Sequence, residues 1–246
     1  MKLKVLSSSS KGNCYVLQSP TGSLFLEAGI PWREIQKGLD FNLSNIEAAL
    51  ISHNHKDHCK AVKEVMSAGI DCYMSHGTAD ALGLCEYRLC FMSSEIQFNI
   101  GDFTILPFET EHDCPEPLGF LIQYRPTNEK ILFLTDSYYS KYRFKGLNYV
   151  MIEANYCKDI LDRNIEAGLI DEGMKRRLLE SHMSLENCKN FLSANDLSQV
   201  REIILLHLSE GNSSKTRMQQ EIFKQTGTMP KIAEAGFEVD LELYPY

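Results

Sequence analysis

The sequence predicts a layered α/β fold with mixed β-sheets. Short apolar or alternating runs typical of strands recur along the chain, and helical patterns lie between and after them. Strands are concentrated in the first half of each portion of the chain and helices in the second, so the elements do not alternate regularly as in a parallel, doubly wound sheet. The hydrophobic content of 43% favours a substantial core and argues against disorder.

The strand predictions rest on apolar or alternating runs that are broken by turn sequences such as SSSSKGN and SPTG. In chain order the predicted strands cover residues 3–6, 15–18, 23–27, 48–52, 95–98, 103–108, 119–124, 131–134, 149–153, 202–206 and 237–243.

Helices are predicted where apolar residues recur at spacings of three and four. The predicted helices cover residues 57–68, 78–84, 171–180, 185–194 and 214–225. The first of them begins at Asp57, and its apolar residues Ala61, Val62, Val65 and Met66 form one face.

Length and composition limit the class of protein. The 246 residues contain no Gly/Ser linker, charge block or Pro-rich stretch, so we expect a single domain spanning residues 1–246. A net charge of −8 disfavours a broad electrostatic nucleic-acid binder but does not exclude a local positive cleft.

Cysteine usage and hydropathy predict the cellular compartment. The first ten residues lack the apolar run of a signal peptide, and no stretch approaches the ~20 apolar residues that span a bilayer. The eight cysteines are scattered without a CxxC pair, which favours free thiols in a reducing compartment. We therefore expect a cytoplasmic protein without a membrane partner, and the oligomeric state stays open.

The clearest chemical signal is HNHKDH at residues 53–58, which holds three of the seven histidines. In an extended chain His53 and His55 point the same way, so two imidazoles can bind one metal ion. Asp57 and His58 lie on the following helical turn and offer a second set of ligands, as two adjacent metals require. The alternative is a histidine-rich turn in which Asp57 caps the helix.

Three further residues follow predicted strands and are candidates for completing the coordination spheres: His112, Asp136 and His207. Side chains at strand ends can converge at one rim of a sheet, and a carboxylate such as Asp136 can bridge two metals. Taken singly, each of the three is equally well interpreted as a hydrogen-bonded polar residue at the end of a strand.

HNHKDH, His112, LTD at 134–136 and His207 together resemble the ligand series of the metallo-β-lactamase superfamily, over nearly the whole chain. SSSSKGNCYVL, IEANY at 152–156, SHMSLENC at 181–188 and LLHLSEGN at 205–212 are similar to the YycJ/WalJ-like branch, which is regarded as DNA exonucleases. The resemblance implies an αββα sandwich of two mixed β-sheets flanked by helices, with metals at one edge.

The resemblance also implies a ligand set. One divalent cation would be held by His53, His55 and His112, the other by Asp57, His58 and His207, with Asp136 bridging the two. His and Asp ligands suit Zn²⁺, Mn²⁺ and Fe²⁺, of which we expect Zn²⁺ or Mn²⁺. The chain departs from the family at Glu27 in LEAGI, where Asp is usual, and in TDSYY, where many relatives have a glycine soon after the Asp.

The predicted activity is that of a dinuclear-metal-dependent hydrolase, namely a phosphodiesterase or DNA exonuclease that uses a metal-bridging hydroxide. Asp57 and His182 are the predicted catalytic residues. Asp57 accepts the proton of the water, and His182, which lies outside the ligand set, binds the scissile phosphate or protonates the leaving oxygen. Alternatively, His182 only flanks a helix capped by Ser181 or Ser184.

Substrate contacts are predicted in the SSSSKGN loop, which can present hydroxyls, N–H groups and an ammonium group to phosphate, or can be a flexible hairpin turn. The predicted substrate-binding residues are Ser8, Ser9, Lys11, Asn13, Asn155 and Asn212. Two basic clusters, KYRFK at 141–145 and MKRR at 174–177, lie either on solvated faces or along a nucleic-acid backbone, with DNA as the substrate.

Two other functions fit the same ligands. One is a small-molecule hydrolase of the same fold, acting on a cyclic phosphodiester, a thioester or a lactam. The other is a non-catalytic protein in which the metals serve folding.

Overall fold

The computed structural model describes residues 1–242. Over this range the chain forms fourteen strands and eight helices. In chain order they are β1 (Lys2–Ser9), β2 (Gly12–Gln18), β3 (Ser23–Leu26), α1 (Trp32–Gly38), β4 (Ile46–Leu50), α2 (Lys56–Cys59), α3 (Val62–Ser67), β5 (Asp71–Met74), α4 (His76–Leu82), β6 (Leu89–Phe91), β7 (Phe98–Ile100), β8 (Phe103–Glu109), β9 (Leu118–Tyr124), β10 (Glu129–Leu134), β11 (Tyr149–Glu153), α5 (Lys158–Glu166), α6 (Glu172–Ser181), α7 (Leu185–Ser193), β12 (Glu202–Leu206), α8 (Lys215–Thr226), β13 (Lys231–Ile232) and β14 (Glu238–Asp240).

The strands belong to two seven-stranded mixed β-sheets, so the predicted fold class is confirmed. The described chain divides into two compact units. Unit 1 contains Met1–Glu109, Cys114–Glu129 and the described residues from Ala233 onward, and unit 2 contains Thr110–Asp113 and Lys130–Ile232. The prediction of one domain over residues 1–246 stays a prediction.

Unit 1 is built around a sheet with the strand order β14-β1-β2-β3-β4-β5-β6. The pairs from β14 to β3 are antiparallel and those from β3 to β6 are parallel. Ile35, Val65 and Ala79 of the helices α1, α3 and α4 pack in one core with the alternate β2 residues Cys14 and Val16. The intervening residues of β2 are buried as well, so both faces of this sheet are covered.

Unit 1 also contains the antiparallel strands β7, β8 and β9, which pair in that order. In the first sheet, the parallel neighbours β3 and β4 end side by side at Leu26 and Leu50. The residues that follow them, including Glu27 and His53, therefore come out at the same edge of the sheet, where side chains at carboxyl ends of strands commonly form ligand sites.

Unit 2 contains four parallel strands in the order β10-β11-β12-β13. The middle strands are near-continuous apolar runs, as expected for parallel strands covered on both faces. Leu161, Leu192 and Met218 of the helices α5, α7 and α8 are fully buried. Because β10, β11 and β12 are parallel neighbours, their carboxyl ends meet at one edge, and Asp136 and His207 lie just beyond those ends.

The predicted helix at residues 57–68 is wrong as a single helix, because the structure has two short ones, α2 and α3. The backbone N–H of Ala61 donates to the carbonyl of Ala28 at 2.8 Å, and the side chain of Asn13 donates to the carbonyl of Asp57 at 3.2 Å. The two groups that would form one helical hydrogen bond therefore have other partners, and the helix breaks between Cys59 and Val62.

Five elements were not predicted: α1, α5, β5, β6 and β13. The strand predicted at 95–98 is displaced to β7, since Glu95 has a φ of +64°, which a strand does not accommodate. At the C-terminus, β14 falls within the predicted strand 237–243, and residue 243 lies outside the described residues. In the described range, none of the helices combines the length and the apolar character that crossing a membrane demands.

Candidate metal-binding residues

The histidine loop, residues 53–58 of unit 1, packs three imidazoles closely together. The ring centroids of His53 and His55 are 4.8 Å apart, and those of His53 and His58 are 4.1 Å apart. Nitrogen atoms of His53 and His55 lie within 4.8 Å of one another, and Asp57 Oδ2 lies 3.5 Å from His58 Nε2. His53 with His55, and Asp57 with His58, thus form the two neighbouring pairs of potential ligands that the spacing predicts.

Buried contacts fix the orientation of these rings. Ser52 Oγ lies 2.8 Å from His53 Nδ1. Both carboxylate oxygens of Glu27 accept from the Ser52 backbone N–H at 3.3 Å, and Glu27 Oε2 lies 3.6 Å from His58 Nδ1. Glu27 therefore braces the histidine loop although it stands where the family usually has Asp.

Glu27 is fully buried and has a φ of +67°, a left-handed conformation that costs free energy in a residue other than glycine. Its burial raises the pKa of its carboxyl group, and the neighbouring His58 opposes this rise. Glu27 therefore reaches the Ser52 N–H and His58 from a left-handed backbone conformation directly after β3.

Asn13 and Gly29 hold the loop from the other side. Asn13 is fully buried, and its Nδ2 atom lies 3.1 Å from His58 Nε2 in addition to its hydrogen bond with the Asp57 carbonyl. A Cβ atom added at Gly29 would lie 1.7 Å from the oxygen of Asp57, so the backbones approach each other at a distance that only glycine permits. Asn13, predicted to bind substrate, contacts the histidine loop.

The rest of the SSSSKGN segment forms the tight hairpin between β1 and β2. Ser8 Oγ lies 2.7 Å from Tyr15 Oη, and Ser9 Oγ accepts from the Lys11 N–H at 3.2 Å. Ser8 and Ser9 are half-buried and Lys11 is exposed. Of the three residues of this hairpin that are predicted to bind substrate, Lys11 is therefore the most exposed to solvent.

In unit 2, Asp136 lies at the centre of three imidazoles. Its carboxylate oxygens are 3.2 Å from His207 Nδ1, 3.8 Å from His182 Nδ1 and 3.9 Å from His112 Nε2. Asp136 and His207 have φ values of +41° and +51°, so both are held in the left-handed region just beyond β10 and β12. Strained conformations of this kind cluster at functional sites.

One contact determines which ring nitrogen of His112 carries the proton. Its Nδ1 atom lies 2.8 Å from the carbonyl oxygen of Ser181, which can only accept, so Nδ1 carries the proton. In the neutral ring Nε2 then keeps its lone pair, the form in which histidine binds a metal. The Asp136 carboxylate is on the Nε2 side, so the ring is oriented for coordination there.

Glu153 is a site residue that the sequence analysis did not single out. It is fully buried at the end of β11 and accepts three hydrogen bonds: from His182 Nδ1 at 2.7 Å, from the Ser137 N–H at 3.1 Å and from the Met183 N–H at 3.0 Å. Burial alone would lower the pKa of His182, but the Glu153 carboxylate outweighs it and raises the pKa to about 9. The signal available in the sequence was a carboxylate at the end of the apolar run of β11.

Asn155 and Asn212 are both buried and contact the segment around His207. Asn155 Nδ2 donates to the His207 carbonyl at 2.9 Å. Asn212 Nδ2 donates to Ser209 Oγ at 3.3 Å, and its Oδ1 accepts from Asn164 at 2.8 Å. These amides stabilise the turn after β12.

The remaining histidine, His76, opens α4, is exposed and stacks on Phe91 with a centroid distance of 3.8 Å. It lies in neither ligand set. The other six histidines and the carboxylates beside them offer imidazole nitrogen and carboxylate oxygen, the donor types of Zn²⁺ and Mn²⁺ sites. Together with the tautomer of His112 and the bracing by Glu27, this donor chemistry fits divalent metal ions.

Residues 32–208 match the family described as Beta-lactamase superfamily domain. The chain is 26% identical over 260 aligned positions to the exodeoxyribonuclease WalJ of Streptococcus pneumoniae serotype 2, covering 99% of this chain and 93% of that protein. It is 24% identical over 232 positions to the exodeoxyribonuclease YycJ of Bacillus anthracis, covering 87% and 85% of the two chains.

Among solved structures, the metallo-β-lactamase fold protein YhfI from Bacillus subtilis superposes with a TM-score of 0.73 at 16% identity, covering 97% of this chain and 99% of that one. This likeness shows the fold. With the family match over most of the chain, it confirms the resemblance read from the motifs: the chain belongs to the β-lactamase superfamily and has the metallo-β-lactamase fold.

Proposed function

We propose that the protein is a metal-dependent phosphodiesterase that degrades DNA from an end. The observation that carries the proposal is the Asp136 carboxylate within 3.9 Å of nitrogen atoms of three histidines, in a superfamily member that also has the HxHxDH loop. Similarity along 99% of the chain to an exodeoxyribonuclease supports DNA as the substrate.

The proposed metal ligands are His53, His55, Asp57 and His58 of unit 1 and His112, Asp136 and His207 of unit 2. They would hold two divalent cations, Zn²⁺ or Mn²⁺. When bound, such ions lower the pKa of a coordinated water and neutralise charge on phosphate oxygens. Ser52, Glu27 and Asn13 keep the histidine loop in place for this task.

Asp57 and His182 carry the proposed proton transfers. Asp57 is half-buried and accepts the proton of the attacking water. His182 is held through Nδ1 by Glu153, so its Nε2 atom is the one that donates to the scissile phosphate or to the leaving oxygen. Glu153 acts through His182 and is a positioning residue, since the same carboxylate also fixes the backbone at Ser137 and Met183.

Lys11, with the neighbouring hydroxyls of Ser8 and Ser9, is the proposed contact to the phosphate backbone. The basic clusters at 141–145 and 174–177 supply further cations in unit 2. The buried asparagines take a different part, because Asn13, Asn155 and Asn212 hold protein atoms and position the proposed ligands.

A cytoplasmic location belongs to the same proposal. Bacterial DNA lies in the cytoplasm, where a DNA exonuclease would meet its substrate. All eight cysteines of the described chain are free thiols, as a reducing compartment favours.

The test incubates purified protein with Mn²⁺ or Zn²⁺ and end-labelled duplex DNA. We expect wild type to release nucleotides from the labelled end, and His55→Ala to lose at least about 100-fold of this activity because a metal ligand is gone. His76→Ala is the matched control, since His76 is an exposed histidine outside the proposed ligands. No cleavage by wild type, or equal cleavage by His55→Ala, contradicts the proposal.

The same assay separates the alternatives. Turnover of a cyclic phosphodiester, a thioester or a lactam without DNA cleavage identifies a small-molecule hydrolase. A melting temperature that falls on chelation, with no turnover of any of these substrates, identifies a protein that keeps metals for folding.

A further inference from the structure

A cavity of about 170 Å³ opens in unit 2 beside the loop that follows Asp136. We call it the tyrosine pocket, and its walls include Tyr139, Arg143, Met183, Asn187, Asn190 and Phe191. None of the predicted catalytic, metal-binding or substrate-binding residues lines it. Arg143, however, belongs to the KYRFK cluster, for which the sequence allowed either a solvated face or a nucleic-acid contact.

The lining combines three kinds of group. Met183 and Phe191 are buried and form an apolar base, while Tyr139 is 49% exposed at the opening. Asn187 and Asn190 of α7 contribute side-chain amides, which can pair with the donor and acceptor edges of a heterocycle. Asn187 Nδ2 donates to the Tyr138 carbonyl at 2.9 Å, so Asn187 faces a ligand with its Oδ1 acceptor. A volume below the 300–1,000 Å³ typical of sites for larger ligands suits one planar ring system.

Arg143 adds a cation whose charge is not balanced locally. It is exposed, and its Nη1 atom donates to the Tyr142 carbonyl at 3.2 Å. Among residues 1–242, no carboxylate forms an ion pair with Arg143, whereas Arg163 in the same unit pairs with Asp159 at 3.5 Å. An exposed guanidinium of this kind at the rim of an aromatic pocket is suited to a phosphate.

The pocket shares its supports with the proposed catalytic residues. Ser137, which follows Asp136, donates from Oγ to the Tyr139 carbonyl at 2.6 Å and from its N–H to Glu153. Met183, which follows His182, donates its N–H to the same carboxylate. A ligand in the pocket is therefore anchored on the same framework that holds Asp136 and His182.

We propose that the tyrosine pocket binds one base of a nucleic-acid strand. Tyr139 stacks on the base, the amides of Asn187 and Asn190 contact its edge, and Arg143 binds the adjoining phosphate. The proposal rests on the proposed function and deepens it, since it assigns the grip on the nucleotide that lies next to the reacting phosphate. A stacking contact is tolerant of sequence, as a nuclease acting on any end requires.

The test measures the affinity of a fluorescein-labelled single-stranded DNA oligonucleotide by anisotropy, in chelator so that no cleavage occurs. A second oligonucleotide carries abasic sites throughout. We expect Tyr139→Ala to weaken binding of the ordinary strand about tenfold, which is about 1.4 kcal/mol, and to leave the abasic strand unchanged. Tyr139→Phe keeps the stacking face and retains wild-type affinity. Tyr87→Ala, which removes a tyrosine that is 94% exposed in unit 1, is the control.

The outcomes separate the two proposals. Equal affinity of wild type and Tyr139→Ala for the ordinary strand overturns the pocket, and nuclease activity of the metal-loaded enzyme then decides the function independently. A Tyr139-dependent affinity in an enzyme that cleaves no DNA supports the pocket and overturns the proposed function. Equal losses on the ordinary and abasic strands overturn base binding. An absence of binding to either strand overturns the pocket, and the nuclease assay still decides the proposed function.

Discussion

The histidine loop of unit 1 and the Asp136 cluster of unit 2 present the same donor types by different means. The loop places four donor residues within six consecutive positions, and its shape depends on contacts from Glu27, Asn13 and Gly29. The cluster gathers residues that lie far apart in sequence at the ends of parallel strands, around one carboxylate.

The two regions offer the same types of ligand atom, but the contacts that hold those ligands in place are arranged differently. In unit 1 the bracing groups contact both backbone atoms and imidazole nitrogens of one short segment, so a change in any brace should affect the whole loop. In unit 2 a single buried carboxylate, Glu153, ties His182 to the backbone at Ser137 and Met183, so separate segments depend on one side chain. Substitution of one bracing residue in each unit tests this difference.

Glu153→Ala should have the largest effect. It leaves the buried imidazole of His182 and two backbone N–H groups without their acceptor, which costs about 3–5 kcal/mol because one partner of a buried charged pair is removed. Urea unfolding of the chelator-treated protein gives the loss of free energy of unfolding.

The matched control is Glu202→Gln in the same unit, whose carboxylate pairs with Lys231 at 2.7 Å near the surface. It should cost at most about 1 kcal/mol. Equal losses in Glu153→Ala and Glu202→Gln would show that Glu153 is not the brace of unit 2.

Gly29→Ala breaks the bracing of unit 1 through the backbone. The added Cβ atom meets the Asp57 oxygen at 1.7 Å, so either the histidine loop or the segment after β3 has to move. We expect a loss of about 1–3 kcal/mol in the free energy of unfolding, as for other overpacked positions, together with weaker metal binding.

Gly83→Ala serves as the comparison in unit 1, because Gly83 has a φ of +61° but no atom within 4 Å of an added Cβ. That variant should lose about 1 kcal/mol from the backbone conformation alone and bind metal normally. Normal metal binding by Gly29→Ala would show that the close approach does not set the geometry of the loop.

Glu27→Asp should have the smallest effect of the three. It restores the residue usual in the family, but the shorter side chain does not span the present distances to the Ser52 N–H and His58 Nδ1. We expect about tenfold weaker metal affinity, at the low end of the range for residues that support metal ligands. Competition with a fluorescent chelator measures the affinity, and tighter binding than wild type would reject the role assigned to Glu27.

The comparison of the histidine loop with the Asp136 cluster also explains how much of the fold and of the site could be predicted from the sequence. The histidine loop could be read from the sequence because its donors are contiguous and their spacing decides which side chains share a side. The mixed sheets followed from the apolar runs. Even so, the helix after Asp57 was predicted as continuous, because the hydrogen bond from Ala61 to Ala28 that interrupts it is a tertiary contact.

In unit 2 the sequence suggested His112, Asp136 and His207 only as polar residues after strands, and the family resemblance joined them. Glu153 was missed, because its role appears only when parallel strands bring its carboxylate beside His182 and the Ser137 backbone. The asparagines were predicted to contact substrate from motifs alone, which do not show burial. Asn13 and Asn155 are buried and donate to the carbonyls of Asp57 and His207, and their contact with substrate stays a prediction.

The central claim is that both ligand sets are needed to hold two divalent cations. The most direct measurement is the metal content per chain, by mass spectrometry of Mn²⁺- or Zn²⁺-loaded protein after gel filtration, for wild type, His55→Ala of unit 1 and Asp136→Asn of unit 2. We predict about two ions per chain for wild type and fewer than two for each variant. Full metal content in either variant would contradict the claim.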